Sequence, residues 1–319
     1  GIPCSDLKAE WAAQRIKNLS MRTALLRMLG REKGNVRSLI EEFSYPRLGP
    51  GMMWNAVKEY IEQHGGEVRL NTEVISLGRE ATSIRYVTMA SERGTETLRA
   101  THVISSMPVT EAIKKLDPPA PASAQAAALQ LRYRDFLTVC LIVNRPSLFP
   151  DNWIYIHDPS VKVGRIQNFK NWSPDMVPNP AKSSLGLEYF CQEGDQLWTR
   201  PDSELVELGK QEINRIGLAR YADIEDGCVF RVPKAYPVYD TTYREALNCI
   251  RKFLEGVDNF QTIGRNGLHR YDNQDHAMLT GILAVRNLLA GERHSLWDVN
   301  LDADYQEEIQ ESGRYGRLS

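Results

Sequence analysis

The chain has 319 residues, of which 42% are hydrophobic, 25% are charged and 8% are aromatic. This composition is that of an ordinary globular protein, and it excludes the disordered and fibrous classes. The 39 basic and 41 acidic residues give a formal net charge of −2. Such a charge provides no general field for a nucleic acid or an acidic membrane surface, so neither is expected as a partner. The length predicts two domains.

The five cysteines are far apart in the sequence and show no C-x-x-C spacing. We therefore expect neither a disulfide framework nor a structural zinc site, and we predict a reducing, cytoplasmic compartment. The longest apolar run, residues 136–143, is far shorter than the roughly 20 residues of a membrane-spanning helix, so no transmembrane segment is expected. The first four residues lack an initiator Met and signal-peptide features, which suggests that an N-terminal portion is missing.

The first part of the chain alternates between helical and strand-like patterns. Apolar residues at one-turn spacing indicate helices, and Gly65 supplies the left-handed residue that ends the second helix. Alternation of polar and apolar residues then indicates strands, the last two of which form a hairpin around Gly94. The predicted elements are a helix from Ser5 to about Leu29, a helix over residues 51–64, and strands over residues 67–75, 83–90 and 95–104.

A Pro/Ala-rich stretch, residues 118–128, changes the composition and predicts a domain boundary. The segment that follows is rich in strands, and the last helix ends at Gly291. A polar tail begins after about Leu301. The predicted elements of this second part are strands over residues 136–143, 153–157 and 185–191, helices over residues 202–217 and 241–254, a strand over residues 260–263, and a helix from about Gln274.

The most informative local pattern is a strand, a Gly-rich turn and a helix over residues 260–290. A helix N-terminus offers unpaired backbone N–H groups and partial positive charge, so the electron-rich edge of a ligand can dock there. A strand-to-helix connection without a ligand explains the same spacing. The histidines and aspartates of residues 269–276 do not predict a metal site, because Asp275 and His276 are adjacent at a helix start and point about 100° apart.

Residues 231–240 contain two prolines that predict a rigid loop. Arg231 and Tyr236 in this loop form a set that can bind a planar or anionic substrate, although ordinary loop packing explains them equally well. The sequence contains no G-x-G-x-x-G, no Walker loop and no G-x-S-x-G. It therefore predicts neither a complete dinucleotide site nor nucleophilic hydrolase chemistry, and it assigns no catalytic residue.

Three segments of the chain carry a resemblance to a known family. The first covers residues 45–52 and continues, after a helix, into residues 65–74. The second is residues 103–108, and the third is residues 264–281. In this order and at these separations they resemble the flavin-dependent family that includes amine oxidases, protoporphyrinogen oxidase, phytoene desaturases and UDP-galactopyranose mutase.

The resemblance implies an α/β chain of mixed α+β character. It consists of a partial FAD-binding Rossmann-like domain with an inserted substrate domain of mixed sheet and helices. The predicted flavin domain comprises residues 46–117 and 256–291, and the predicted substrate domain comprises residues 1–45 and 118–255. Residues 292–319 are the predicted C-terminal tail.

The resemblance also implies FAD as the cofactor. Val74 would contact the adenine through its backbone, the turn at Gly264 would lie near the diphosphate and ribityl chain, and the helix start would face the pyrimidine end of the isoalloxazine. A helix N-terminus suits this role, because reduced flavin carries negative charge at that end. Without the Gly-rich N-terminal unit, the chain in isolation should bind FAD poorly or not at all. The residues that the resemblance assigns to FAD are Val74, Gly264, Arg265, Asn273, Gln274 and Asp275.

The family implies two enzyme functions. We predict an FAD-dependent, amine oxidase-like oxidoreductase, active when full length, in which flavin N5 accepts a hydride from a small-molecule substrate. The alternative is a UDP-galactopyranose mutase-like isomerase of a sugar nucleotide, which residues 1–15 and 273–276 resemble. There, reduced flavin would act as a nucleophile at an anomeric carbon and arginines would clamp a diphosphate. Arg231 and Tyr236 are substrate candidates for both, and a non-catalytic flavoprotein-like scaffold is a third interpretation.

Overall fold

The computed structural model of the protein describes residues 44–299. The helix predicted from Ser5 to Leu29 and the predicted tail after Leu301 lie outside the described residues. The chain divides into two compact units. The strand-rich unit holds the described residues up to Leu70 together with residues 133–235, and the helix-rich unit holds residues 71–132 together with the described residues from Tyr236 onward.

Both units contain strands and helices, which are numbered in chain order. The strands are β1 (Glu73–Glu80), β2 (Ser83–Ser91), β3 (Gly94–Arg99), β4 (Val103–Ser105), β5 (Leu116–Asp117), β6 (Tyr133–Val143), β7 (Trp153–Tyr155), β8 (Arg165–Asn168), β9 (Ser183–Cys191), β10 (Ile224–Pro237) and β11 (Phe260–Thr262). The helices are α1 (Pro50–Gln63), α2 (Val109–Lys114), α3 (Ala122–Gln130), α4 (Phe169–Trp172), α5 (Asp202–Arg215), α6 (Tyr243–Leu254), α7 (Gly264–Gly267) and α8 (Gln274–Leu289).

The strand-rich unit is built on a five-stranded sheet in the order β10-β6-β9-β8-β7. Every second residue of β6 is buried, and one face of the sheet forms a core with the fully buried Leu205 and Ile213 of α5. Gly209 permits this close packing, because a Cβ there would lie 3.1 Å from Cγ1 of Val139 in β6. The alternate residues of each strand therefore lie on the opposite face, which α5 does not cover.

A buried carboxylate ties a loop of this unit to α5. Glu212 accepts hydrogen bonds from the backbone N–H of Lys162 at 2.7 Å, from that of Val163 at 3.0 Å, and from the hydroxyl of Tyr189 at 3.0 Å. Burial, together with the adjacent carboxylate, raises the pKa of Tyr189, so its hydroxyl stays a hydrogen-bond donor. The loop, the sheet and the helix therefore share one satisfied polar centre.

The helix-rich unit contains a sheet in the order β3-β2-β1-β5 and a parallel pair of β4 with β11. Asn259, just before β11, links the pair to β2. Its side-chain amide donates to the carbonyl of Ile84 at 2.7 Å and to that of Thr101 at 2.8 Å, and its side-chain oxygen accepts from the N–H of Ile84 at 2.7 Å. These three bonds fix the position of β11 and of the turn that follows it.

Several predicted elements are confirmed with small shifts at their ends, because each carries a strong local pattern. They are α1, β2, β6, β7, β9, α5, α6, β11 and α8. The left-handed conformation predicted at Gly65 is also present, with a φ of 83°. Gly291, where the last helix was predicted to end, follows α8 with a φ of 67°. The mixed α/β class predicted from the sequence is confirmed by this arrangement of sheets and helices.

Three predicted elements differ in the structure. The strand predicted over residues 67–75 begins only at Glu73, because the chain turns at Asn71 with a φ of 53°. The run predicted over residues 95–104 is divided between β3 and β4, which belong to different sheets. The loop predicted over residues 231–240 is largely the end of β10; that strand lies at the sheet edge, where prolines are tolerated.

The structural units have different bounds from the predicted domains. Residues 122–130 form α3, and its alanines are buried in the core of the helix-rich unit. The chain therefore passes to the strand-rich unit after Arg132 rather than at Pro118. The flavin and substrate roles of the predicted domains stay predictions. Within residues 44–299, no helix combines the length and the apolar character that crossing a membrane requires.

Candidate functional site

The candidate site starts where β11 ends. Thr262 of β11 lies opposite Ser105 of β4, and the chain then turns into α7 at Gly264, which has a φ of 72°. A Cβ on Gly267 would lie 2.9 Å from the carbonyl oxygen of Ser105, so only glycine fits there without displacement of the backbone. The two glycines bring the turn against the end of β4.

A buried hydroxyl connects this turn to the long helix α8. The N–H of Gly264 donates to Oγ1 of Thr280 at 2.9 Å, and that hydroxyl donates to the carbonyl of Ala277 at 2.7 Å. Thr280 is fully buried. The N-terminal half of α8 is therefore held at a fixed place relative to the turn.

The N-terminus of α8 has no side-chain cap from the residue that precedes it. Asn273 is the N-cap residue, but its side chain makes no capping hydrogen bond, and Gln274 is exposed. The first N–H groups of a helix have no partner within the helix and carry partial positive charge. This end of α8 therefore suits an electron-rich group, as the sequence predicts.

One acidic side chain lies in the same first turn. Burial tends to raise the pKa of Asp275, but hydrogen bonding from the side chain and backbone of His276 and from its own backbone outweighs burial, so the pKa lies below its usual value. Nδ1 of His276 is 3.0 Å from Oδ1 of Asp275. Asp275 is thus ionised at neutral pH and interacts with part of the positive potential of the helix end.

The structure brings Arg265 and Tyr236 together. The guanidinium carbon of Arg265 lies 5.1 Å from the ring centroid of Tyr236 and 5.1 Å from that of Tyr271. The two rings are 5.3 Å apart and nearly parallel, and Nε of Arg265 donates to the carbonyl of Asp272 at 2.7 Å. Cation–π contacts and one hydrogen bond therefore fix the position of this charge.

Two buried oxygens near the turn indicate that the site is incomplete without a polar group. Oγ of Ser105 and Oδ1 of Asn266 are buried and have no hydrogen-bond partner within residues 44–299. An unsatisfied buried polar atom is destabilising by about 1–3 kcal/mol. Together with the glycine turn and the open helix end, these atoms fit a polar, electron-rich cofactor such as a flavin nucleotide.

Two other predicted site residues lie elsewhere. Val74 is in β1, half-buried and paired with Met89, within the same helix-rich unit as the turn. Arg231 is in the strand-rich unit, where its guanidinium donates to two backbone carbonyls at 2.9 and 2.7 Å and to the carboxylate of Asp202 at 2.6 Å. The roles of both stay predictions, and substrate binding by Arg231 would have to compete with these internal bonds.

The face of the five-stranded sheet opposite α5 carries a polar cluster that the sequence does not reveal. Nε of Arg165 donates to Glu188 at 2.7 Å, and Gln167 donates to the same carboxylate at 2.6 Å. The ring of the exposed Trp153 lies 5.3 Å from the guanidinium carbon. The four residues come from three strands, so no local spacing could have identified them.

The sequence gives His269 no metal-binding role, but it does not reveal the local structure of this residue, whose backbone lies in the left-handed region with a φ of 46°. Burial lowers the pKa of this histidine to about 4, although the backbone of Val238 and the charge of Asp240 act in the opposite direction. The imidazole is therefore neutral at pH 7 and belongs to the packed base of the site. Among residues 44–299 there is no group of three or more potential metal ligands.

Comparisons with known proteins give one family match and several related folds. The model of the flavin-containing amine oxidoreductase family matches residues 3–288. The solved structure of reduced UDP-galactopyranose mutase has a TM-score of 0.76 and 20% identity, covering 94% of this chain and 64% of that one. A putative protoporphyrinogen oxidase from Exiguobacterium sp. 255-15 has a TM-score of 0.53 and 17% identity, covering 68% of this chain and 46% of that one.

The chain thus spans less than two thirds of the length of either protein. At these identities the likeness shows a shared fold. No curated protein matches the sequence.

Replacing Thr280 with Val keeps the side-chain shape but leaves the N–H of Gly264 buried without an acceptor. We expect the free energy of unfolding to fall by about 1–3 kcal/mol, measured by urea denaturation. Thr280→Ser retains the hydroxyl and is the matched control. Equal losses in both variants would mean that Thr280 contributes through its methyl group and not through the hydrogen bond.

His269 should make stability depend on pH. Its pKa is near 4 in the folded protein and 6.5 in the reference state, so below pH 6.5 the unfolded chain binds a proton that the folded chain does not. Stability should therefore fall as the pH is lowered from 6.5 to 4, by about 3 kcal/mol in total. His269→Gln should flatten this part of the pH profile of the unfolding free energy, whereas a change at the exposed His64 should not. An unaltered profile in His269→Gln would contradict the assignment.

Proposed function

Because the chain belongs to the family of flavin-containing amine oxidoreductases, we propose that it forms part of an FAD-dependent enzyme that oxidises a small-molecule substrate. FAD is the cofactor that family membership implies. Bound FAD would supply a two-electron acceptor for a hydride from the substrate. The observation that carries the proposal is the glycine turn at residues 264–267, joined by a buried hydroxyl to the open N-terminus of α8.

Within this proposal, the helix-rich unit holds the cofactor. Gly264 allows the left-handed turn, and Gly267 lets that turn lie against the backbone at the end of β4. Arg265 places a positive charge that offsets the diphosphate, and the N–H groups at Asn273 to Asp275 stabilise negative charge at the pyrimidine end of the ring. Val74 would contact the adenine through its backbone. Ser105 and Asn266 supply oxygens that still need polar partners.

We further propose that residues outside this chain complete the cofactor site in the full-length protein. The printed sequence has no G-x-G-x-x-G to bind the diphosphate end. Within residues 44–299 the sheet that contains β4 and β11 has two parallel strands, whereas parallel sheets in α/β folds are larger and covered on both faces. The chain in isolation should accordingly bind FAD weakly and be inactive.

A glycine pair offers a controlled test of the cofactor site. Gly264 and Gly291 have similar left-handed φ values, 72° and 67°. A Cβ added at Gly291 would meet no other atom within 4 Å. In full-length protein, Gly264→Ala should weaken FAD binding about tenfold, measured by titration of flavin fluorescence, because alanine is strained at this φ and would distort the turn of the proposed cofactor site.

Gly291→Ala should leave the affinity unchanged, and the unfolding free energy of both variants should be measured in parallel. Unaltered FAD affinity in a folded Gly264→Ala protein would remove the turn from the site. Absence of flavin from the full-length protein, with no uptake on adding FAD, would remove the proposed function itself.

A second candidate function is isomerisation of a sugar nucleotide. The polar cluster on the face of the sheet opposite α5 favours it, because Trp153 and Arg165 place an aromatic ring next to a guanidinium. A nucleotide base can stack on such a ring, and a diphosphate can bind such a cation. Glu188 already bonds to Arg165, so a diphosphate would have to replace or share that contact.

The two functions differ in what happens to the flavin. Full-length protein loaded with FAD is mixed anaerobically with a panel of primary and secondary amines, and the absorbance of oxidised flavin is followed. We expect it to decline with a substrate of the oxidoreductase. Conversion of UDP-galactopyranose by dithionite-reduced protein, lost in Trp153→Ala, would instead identify the isomerase. If flavin-loaded protein carries out neither reaction, the non-catalytic scaffold remains as the interpretation.

A further inference from the structure

Two cysteines of the strand-rich unit lie side by side. Cys140 is in β6 and Cys228 is in β10, and these strands are neighbours in the five-stranded sheet. Cys228 lies close enough to Cys140 to contribute to the raised pKa of the Cys140 thiol, and both cysteines are free thiols. Most of the strand-rich unit lies between the two cysteines in the sequence, so the sequence alone gives no reason to pair them.

Both thiols lie on the face of the sheet that α5 does not cover. Val139 and Leu141, on either side of Cys140, are fully buried in the core with α5, and Val229, next to Cys228, packs against the same core. Side chains alternate along a strand, so the two cysteines share the opposite face. Cys228 is exposed to solvent, and Cys140 is partly buried.

The two backbones are close enough for a covalent link. Paired antiparallel residues have Cα atoms about 4.5–5.5 Å apart, which lies within the range of about 4.4–6.8 Å found for disulfides. A Cβ on Gly227 would lie only 2.7 Å from the carbonyl oxygen of Cys140, so the strands approach closely at this position. The spacing of these neighbouring strands is therefore compatible with a disulfide between them.

We propose that Cys140 and Cys228 form a reversible disulfide that makes this sheet face a thiol redox site, separate from the proposed flavin chemistry. The oxidant is a low-molecular-weight disulfide such as oxidised glutathione. The Cys228 thiolate attacks one sulfur of that disulfide, whose S–S bond breaks and releases one glutathione thiol. Cys140 then attacks the Cys228 sulfur of the mixed disulfide and releases the second glutathione.

The balance is one external disulfide reduced to two thiols while two protein thiols are oxidised to one disulfide. The two protons of the cysteines end on the two released glutathione molecules. The order of attack follows from exposure, because Cys228 is exposed to solvent and Cys140 is partly buried. Burial, together with the adjacent sulfur of Cys228, raises the pKa of Cys140 to about 12, so the closing step should accelerate as the pH rises.

The bond would also connect an edge strand to the interior of its sheet. β10 lies at the edge of the sheet, and β6 is enclosed between β10 and β9. A solvent-exposed disulfide is of the labile kind that the cellular thiol pool can reduce. The pair of Cys140 and Cys228 is therefore suited to reversible oxidation. A single reversible disulfide differs from the structural disulfide framework that the cysteine spacing excludes.

The test is to equilibrate the purified protein with oxidised and reduced glutathione, block the remaining thiols by alkylation, and map the peptides by mass spectrometry. We expect a linked pair of peptides containing Cys140 and Cys228, two hydrogens lighter than the reduced pair and restored by dithiothreitol. Cys249→Ser, which changes a partly buried cysteine of the other unit, should give the same linked pair.

The single variants at the site separate the two steps. Cys140→Ser should accumulate glutathione on Cys228, whereas Cys228→Ser should form no link and leave Cys140 unmodified. A link from either residue to another cysteine, separate alkylation of both thiols after oxidation, or a wild-type reaction that stops at the glutathione adduct would each overturn the proposal. All these outcomes can be read from wild-type protein, so they do not depend on a variant that fails to fold.

Discussion

The hydrogen bond from the N–H of Gly264 to the buried hydroxyl of Thr280 determines the geometry of the candidate site. It joins the turn after β11 to the first half of α8, so the open helix end and the glycine turn form one rigid element. The bond exists only because Gly264 adopts a left-handed conformation and Gly267 lets the turn lie against Ser105. Asn259 completes the arrangement by linking the segment before β11 to β2.

The elements that sequence reasoning located correctly are those whose signal is local. α1, α5 and α8 each show a helical repeat of apolar residues, and glycines end α1 and α8. The errors occur where contacts between distant parts of the chain determine the bounds of an element. Residues 67–72 alternate as a strand would, but the left-handed Asn71 delays β1 until Glu73. β10 runs through two prolines because it lies at an edge of the sheet, and no local pattern predicts an edge.

The features of the candidate site also fall into those with a local sequence signal and those formed by residues far apart in the sequence. The glycine turn and the helix start were recognisable, since each depends on residues close in sequence. The stacking of Arg265 with Tyr236 and the clusters on the sheet joined residues from distant stretches, so only the fold could reveal them. Thr280 looked like an ordinary polar residue of α8 until its burial and its partner at Gly264 were known. Local chemistry thus suggested what the site could bind, and packing determined which side chains support it.

Asp275 limits how much negative charge the start of α8 can stabilise. Its carboxylate interacts with the first N–H groups of α8, and these are the groups that would stabilise negative charge on reduced flavin. One helix end provides only about half a positive charge, so two anions must share it. Under the proposed function, α8 therefore stabilises the reduced cofactor less than an equivalent helix without an acid at this position. The carboxylate is held by His276 and by backbone N–H groups, so it would oppose negative charge on the flavin from a fixed position. The reducing strength of the flavin would then depend on this carboxylate as well as on the helix.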